Sequence, residues 1–275
     1  MTTVQNLFDN YKGTREYQKL AKNSKATYDS QMRFAVNDYF LVRNRLTQIT
    51  ETVVDELYEK IKIKSVQQAN MFMRVMRRIW SVGKRKGWTK TNPFIEMGLE
   101  TVKPRTNRWT KTDYEVYINK TTELKYYDLR AIAAYCYVLA QRPGDIAALT
   151  IKNFRNDLTE VSFIQQKTKK EMHLPIIGDL TRYAKAAFSI GDKLINTHLR
   201  ILNEQHREVL KLTGLPPDLQ LRDLRRTALM EVMENDGTDA EGQALSGHKD
   251  RAMLDIYAPS SLKMAVNALH KRNLM

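Results

Sequence analysis

The 275-residue chain has one cysteine, Cys136, so no disulfide can form within it. That suits a reducing compartment. Cys136 lies in the longest apolar run, Ala131–Ala140, which is too short to span a bilayer. The run reads as a buried helix and Cys136 as a small core residue. The segment TTVQNLFDNYKG after Met1 lacks the apolar stretch of a signal peptide, so a cytoplasmic protein is expected. No glycine loop of the nucleotide-binding kind is present. The histidines, His173, His198, His206, His248 and His270, have no zinc-like spacing. No metal and no cofactor is therefore expected. Residues 1–90 hold no proline and few glycines, which leaves long helices uninterrupted.

Acid is in short supply relative to base. The net charge is +14, with 45 Lys and Arg against 31 Asp and Glu. Residues 1–100 hold 18 basic and 10 acidic side chains, and residues 101–275 hold 27 and 21. The surplus is thus spread along the chain and is not one charged tail. Such a surplus points to a polyanionic partner, nucleic acid before an anionic membrane.

Apolar periodicity predicts helices at Thr27–Phe40, Thr50–Ile63 and Ser65–Val82. The last carries Arg74, Arg77 and Arg78 off its apolar stripe and runs into Lys84, Arg85 and Lys86. Those six residues are candidate phosphate contacts, against the plainer reading of a solvated face. Trp88–Pro93 is a turn signal, and residues 98–109 read as a short basic linker with a domain boundary near Lys103. Two domains are expected, 1–103, which is helical, and 104–275, which is mixed. In the second, helices are expected at Thr110–Lys120, Tyr126–Ala140 and Arg142–Leu149. Residues 151–176 alternate apolar and polar around Arg155-Asn156-Asp157 and Thr168-Lys169-Lys170, which predicts about three antiparallel strands. Helices follow. The expected fold class is mainly α with a small antiparallel β-sheet.

Five features carry chemistry in order: Gln141-Arg142-Pro143-Gly144-Asp145, Gln165-Gln166-Lys167-Thr168-Lys169-Lys170, Leu224-Arg225-Arg226-Thr227, Leu245-Ser246-Gly247-His248, and Tyr257, nine residues after His248. Attack on a phosphodiester builds charge on two non-bridging oxygens, and a guanidinium fork bonds both while keeping its charge. Two arginines and a histidine donor would form a preorganised clamp. A tyrosine oxygen can hold the phosphate covalently, and a lysine can protonate the leaving oxygen.

This ordered set resembles the catalytic signature of the tyrosine site-specific recombinases of the phage-integrase family. Arg142 matches the first signature arginine, with Asp145 completing its pattern. Lys167 matches the lysine of the family's β-hairpin, with Lys169 and Lys170 as neighbouring candidates. Arg225 matches the second arginine, His248 the histidine of the Leu-Gly-His box, and Tyr257 the nucleophile. The match spans about residues 110–260. Residues 1–103 resemble the family's helical core-binding domain more loosely, and the pair would form a two-domain clamp on DNA. One departure stands out: Arg222 occupies the place, three residues before Arg225, where the family usually has histidine. A guanidinium cannot serve as a base near neutral pH. Arg222 can add charge, and the acceptor of the tyrosine proton is left open.

The resemblance implies cleavage through a 3′-phosphotyrosyl link, strand exchange and religation without ATP. The implied partners are a double-stranded attachment or recombination site, a homotetramer on DNA, and DNA-bending accessory proteins, in a bacterial host cytoplasm or nucleoid. Pro259-Ser260-Ser261 can start a tail helix at 260–272, with Leu262, Ala265, Val266 and Leu269 on one stripe. It would pack on its own domain or dock on a neighbouring protomer. Alternative readings are type IB topoisomerase-like relaxation and a catalytically weakened DNA-binding regulator.

Overall fold

A computed structural model describes residues 2–39, 44–103, 105–235 and 237–248. Tyr257 and the expected tail helix at 260–272 lie outside the described residues. The chain folds as two compact units, Met1–Arg105 and Thr106–Met275.

The first unit is helical: α1 (Val4–Lys12), α2 (Arg15–Gln18), α3 (Lys22–Phe34), α4 (Glu51–Lys62) and α5 (Val66–Arg85). Local chemistry sets the starts. The hydroxyls of Thr3, Thr14, Thr50 and Ser65 each accept a backbone N–H from the first turn that follows. Helix α5 supplies the core, with Ala69, Phe72, Met73, Met76, Ile79 and Trp80 wholly buried. Trp80 meets Phe8 edge-on and Phe94 at 4.8 Å between ring centroids. Helix α3 begins earlier than its periodicity predicts and passes into a π-helical turn at Ala35–Tyr39. There Phe34 and Tyr39, five apart, both reach Phe72 at 6.1 Å.

The second unit comprises α6 (Lys111–Glu123), α7 (Tyr127–Val138), α8 (Pro143–Ala147), β1 (Phe154–Arg155), β2 (Glu160–Ile164), β3 (Glu171–Pro175), α9 (Asp179–Phe188), α10 (Leu199–Thr213), α11 (Leu221–Glu234) and α12 (Asp239–Ser246). The fold class is thus mainly α with a small antiparallel sheet. Helix α7 runs through the core, with Leu129, Ile132, Ala133, Tyr135 and Cys136 wholly buried. Strand order is β1-β2-β3, all antiparallel, and β2 pairs Val161 with Leu174 and Phe163 with Met172. Those four side chains face the core. The alternate residues, Ser162 opposite His173, face outward.

Trp109 corrects the linker reading of residues 98–109. Its ring is wholly buried in the second unit, its backbone N–H donates to Thr227 Oγ1 at 2.9 Å, and its indole N–H donates to the carbonyl of Gln220 at 3.1 Å. It therefore pins the start of α11, the helix that carries Arg225.

Candidate active site

Arg142 caps the start of α8 in extended backbone geometry, and Pro143 at the next position fixes that turn. The preceding Ala140 has φ of +50°. A left-handed alanine costs about 1 kcal/mol, a local strain that the surrounding packing has to offset. The turn brings the carbonyl of Ala140 to Arg225, whose Nη1 donates to it at 2.9 Å. Arg225 reaches this point from the second turn of α11, with 5% of its surface exposed.

His248 arrives from a third direction. Helix α12 ends in Gly247 at φ +76°, a left-handed cap that turns the chain back over the hairpin. A Cβ on Gly247 would lie 2.6 Å from Met172 Sδ and 2.8 Å from Gln165 Nε2, so only glycine fits this approach. The turn sets the His248 ring against Arg225, whose Nη2 donates to Nε2 at 3.1 Å. On the other edge Nδ1 lies 2.8 Å from Ser246 Oγ, and the Ser246 hydroxyl donates to the carbonyl of Gly242 at 2.6 Å. Since Ser246 spends its proton on Gly242, the hydrogen of the ring resides on Nδ1 and the Nε2 lone pair faces Arg225. Burial, and then the charges of Arg225, Arg142 and Lys170, push the His248 pKa down to about 4. The ring is neutral near pH 7.

Two buried glutamines knit these segments together. Gln165 Nε2 donates to Gln141 Oε1 and to the carbonyl of Ser246, both at 2.7 Å. Gln165 Oε1 accepts from Arg142 Nη1 at 3.3 Å and from the Thr168 hydroxyl. Gln141 Nε2 donates to the carbonyls of Leu139 and Leu245. Asp145 takes a bracing place: Oδ1 accepts from the Gln166 N–H at 2.8 Å, and Oδ2 stands 3.6 Å from Arg142 Nη1.

Arg142, Arg225 and His248 therefore converge from segments far apart in sequence. The other two candidates, Lys167 and Arg222, are both exposed. Lys167 is exposed in the hairpin turn, as is Lys169 at φ +57°. The half-buried Lys170 is the hairpin lysine whose charge bears on His248, and its Nζ donates to the carbonyl of Gln243 at 3.4 Å. Arg222 is exposed on α11 and lines a surface cavity with Pro143, Arg207 and Asp218. Sequence reasoning named Gln141 and Gln165 within their motifs but gave them no role. Their adjacency to Arg142 and Lys167 was the available signal.

In the first unit, Arg77 departs from the phosphate-contact expectation. Its Nε and Nη2 donate to the carbonyls of Phe94 and Met97 at 2.7 and 3.3 Å, which braces the segment after the Trp88–Pro93 turn. Arg78 and Arg85 share Glu16, while Arg74, Lys84 and Lys86 are exposed.

No family model and no curated protein matches the sequence. Solved structures do match the fold. A lambda integrase dimer bound to a COC′ core site superposes with a TM-score of 0.79 at 18% identity, covering 94% of this chain and 77% of that one. A lambda integrase tetramer bound to a Holliday junction gives 0.80 at 17% identity, over 93% and 77%. The Tn1549 transposon integrase in complex with transposon right end DNA gives 0.74 at 13% identity, over 98% and 99%. The chain has the fold of lambda integrase and Tn1549 integrase, both tyrosine recombinases.

Proposed function

We propose that the chain is a site-specific DNA recombinase in which Tyr257 is the nucleophile. The observation that carries this reading is the convergence of Arg142, Arg225 and His248 on one face of an integrase fold. Structures of that fold are known bound to core-site DNA, to transposon-end DNA and, as a tetramer, to a Holliday junction.

In the proposed reaction the Tyr257 oxygen attacks phosphorus. A 3′-phosphotyrosyl bond forms, the bond to the 5′-oxygen breaks, and that oxygen leaves with a proton from the hairpin lysine, Lys167. Arg142 and Arg225 bind the non-bridging oxygens, where charge accumulates in the transition state. Religation is the same exchange in reverse, with the 5′-hydroxyl of a partner strand attacking the phosphotyrosine. One phosphoester replaces another at each step, so no ATP is required. Arg222 keeps its proton near neutral pH and cannot replace the missing histidine as a base, and the Nε2 lone pair of His248 already accepts from Arg225, so the proton of Tyr257 passes to neither.

The exposed Arg74, Lys84 and Lys86 of the first unit would meet backbone phosphates, and the tail at 260–272 would dock on a neighbouring protomer. The test uses a duplex selected by the wild-type chain from a random library and nicked at each position across its footprint. The reading predicts a protein band shifted by covalently held DNA in a denaturing gel. Tight binding with no shifted band at any nick position would favour a DNA-binding regulator.

A further inference from the structure

The clamp residues come from separate segments, and Gln165 ties two of them to its own hairpin. It contacts Gln141 and Arg142 at the α7–α8 junction, Thr168 in its own hairpin turn, and Ser246 and Gly247 before His248. It is wholly buried, as is Gln141. An amide has two donors and two acceptor positions, and here all four are used. Both donors are committed to oxygens, Gln141 Oε1 and the Ser246 carbonyl, so the amide cannot flip. Oε1 is thereby forced to face Arg142.

We propose that Gln165 is a positioning residue, a neutral crosslink that sets the Arg142 guanidinium and the His248 turn in register with the hairpin. The inference rests on the recombinase reading for its consequence in rate, but not for its geometry. Neutrality matters. A carboxylate at this place would hold Arg142 as firmly but would cancel charge that the scissile phosphate needs. Asp145 is the nearby acid, and it stands back at 3.6 Å with one oxygen committed to the hairpin backbone. The fourth segment is tied in on both sides, since Arg225 donates to Ala140 and to His248.

The test compares Gln165→Leu and Gln165→Glu in the full chain. Gln165→Glu keeps the shape and the acceptor for Arg142 but loses both donors. Single-turnover cleavage of the selected, nicked duplex is expected to fall at least ~30-fold in both, with DNA affinity within ~3-fold of wild type. In an Arg142→Lys background the further penalty is expected to shrink to within ~3-fold, because Gln165 acts through that arginine. Rates within ~3-fold of wild type, or penalties that simply multiply, would overturn the proposal. A second arm needs no DNA: with Arg142 released, the titration midpoint of the His248 ring, read by NMR, is expected to rise in folded Gln165→Leu. An unmoved midpoint overturns the positioning role even if the wild-type chain forms no covalent adduct, and a raised one supports it in that same event.

Discussion

Arg225 donates from Nη2 to the Nε2 of His248 at 3.1 Å while its Nη1 is held by the carbonyl of Ala140 at 2.9 Å. A buried cation and a neutral imidazole thus share one face of the second unit, and the cation helps to keep the imidazole neutral.

The His248 midpoint should lie near 4, well below the ordinary value of 6.5. A depressed folded pKa means that the unfolded chain binds more protons between these two values. Stability from this residue is then full above about pH 6.5 and is lost as pH falls toward 4, by on the order of 2 kcal/mol. The buried His206, whose pKa burial also lowers, adds in the same direction. Denaturant unfolding of wild type and His248→Gln across pH 4–7 checks the sign. A variant whose stability falls with acid as steeply as wild type would contradict it.

Gly247→Ala should damage fold and activity together. The new Cβ would meet Met172 and Gln165 at a backbone angle that alanine rarely adopts. Strain and overpacking together predict a loss of about 2–4 kcal/mol. A thermal midpoint within a degree of wild type would show that the turn is not seated as described.

The hairpin lysines should separate by readout. Lys167→Ala is expected to slow cleavage ~100-fold or more, the usual scale for losing a general acid, while leaving the His248 midpoint in place. Lys170→Ala should raise that midpoint, because its charge bears on the ring. If Lys170→Ala alone stops cleavage, the acid is Lys170.

In the first unit, Arg77→Ala should cost about 1–3 kcal/mol of stability through its lost bonds to Phe94 and Met97. Arg74→Ala should leave stability nearly unchanged and lower the salt slope of DNA binding by about 0.9, one phosphate contact. The opposite pattern would exchange their roles.

Much of this was legible in the sequence. The 3–4 spacing of Val54, Leu57, Tyr58 and Ile61 and of the α5 core residues announces those helices. The alternation through Val161, Phe163, Met172 and Leu174 announces the hairpin. The bonds that assemble the site were not legible. Gln165 finds its partners 24 and 81 residues away, and a glutamine beside a charged motif reads as a surface residue until the fold buries it. Trp109 was hidden likewise by its basic neighbours. Arg77 shares the polar side of α5 with Arg74, and only the path of residues 94–97 separates their roles.

The central claim is tested most directly by locating the covalent bond to DNA. After incubation with the selected, nicked duplex, digestion with nuclease and trypsin should leave a nucleotide on the peptide Ala252–Lys263, which contains Tyr257. Fragmentation should place it on Tyr257, and Tyr257→Phe should yield none while still binding the duplex. An adduct on another residue, or one that persists in Tyr257→Phe, would contradict the account.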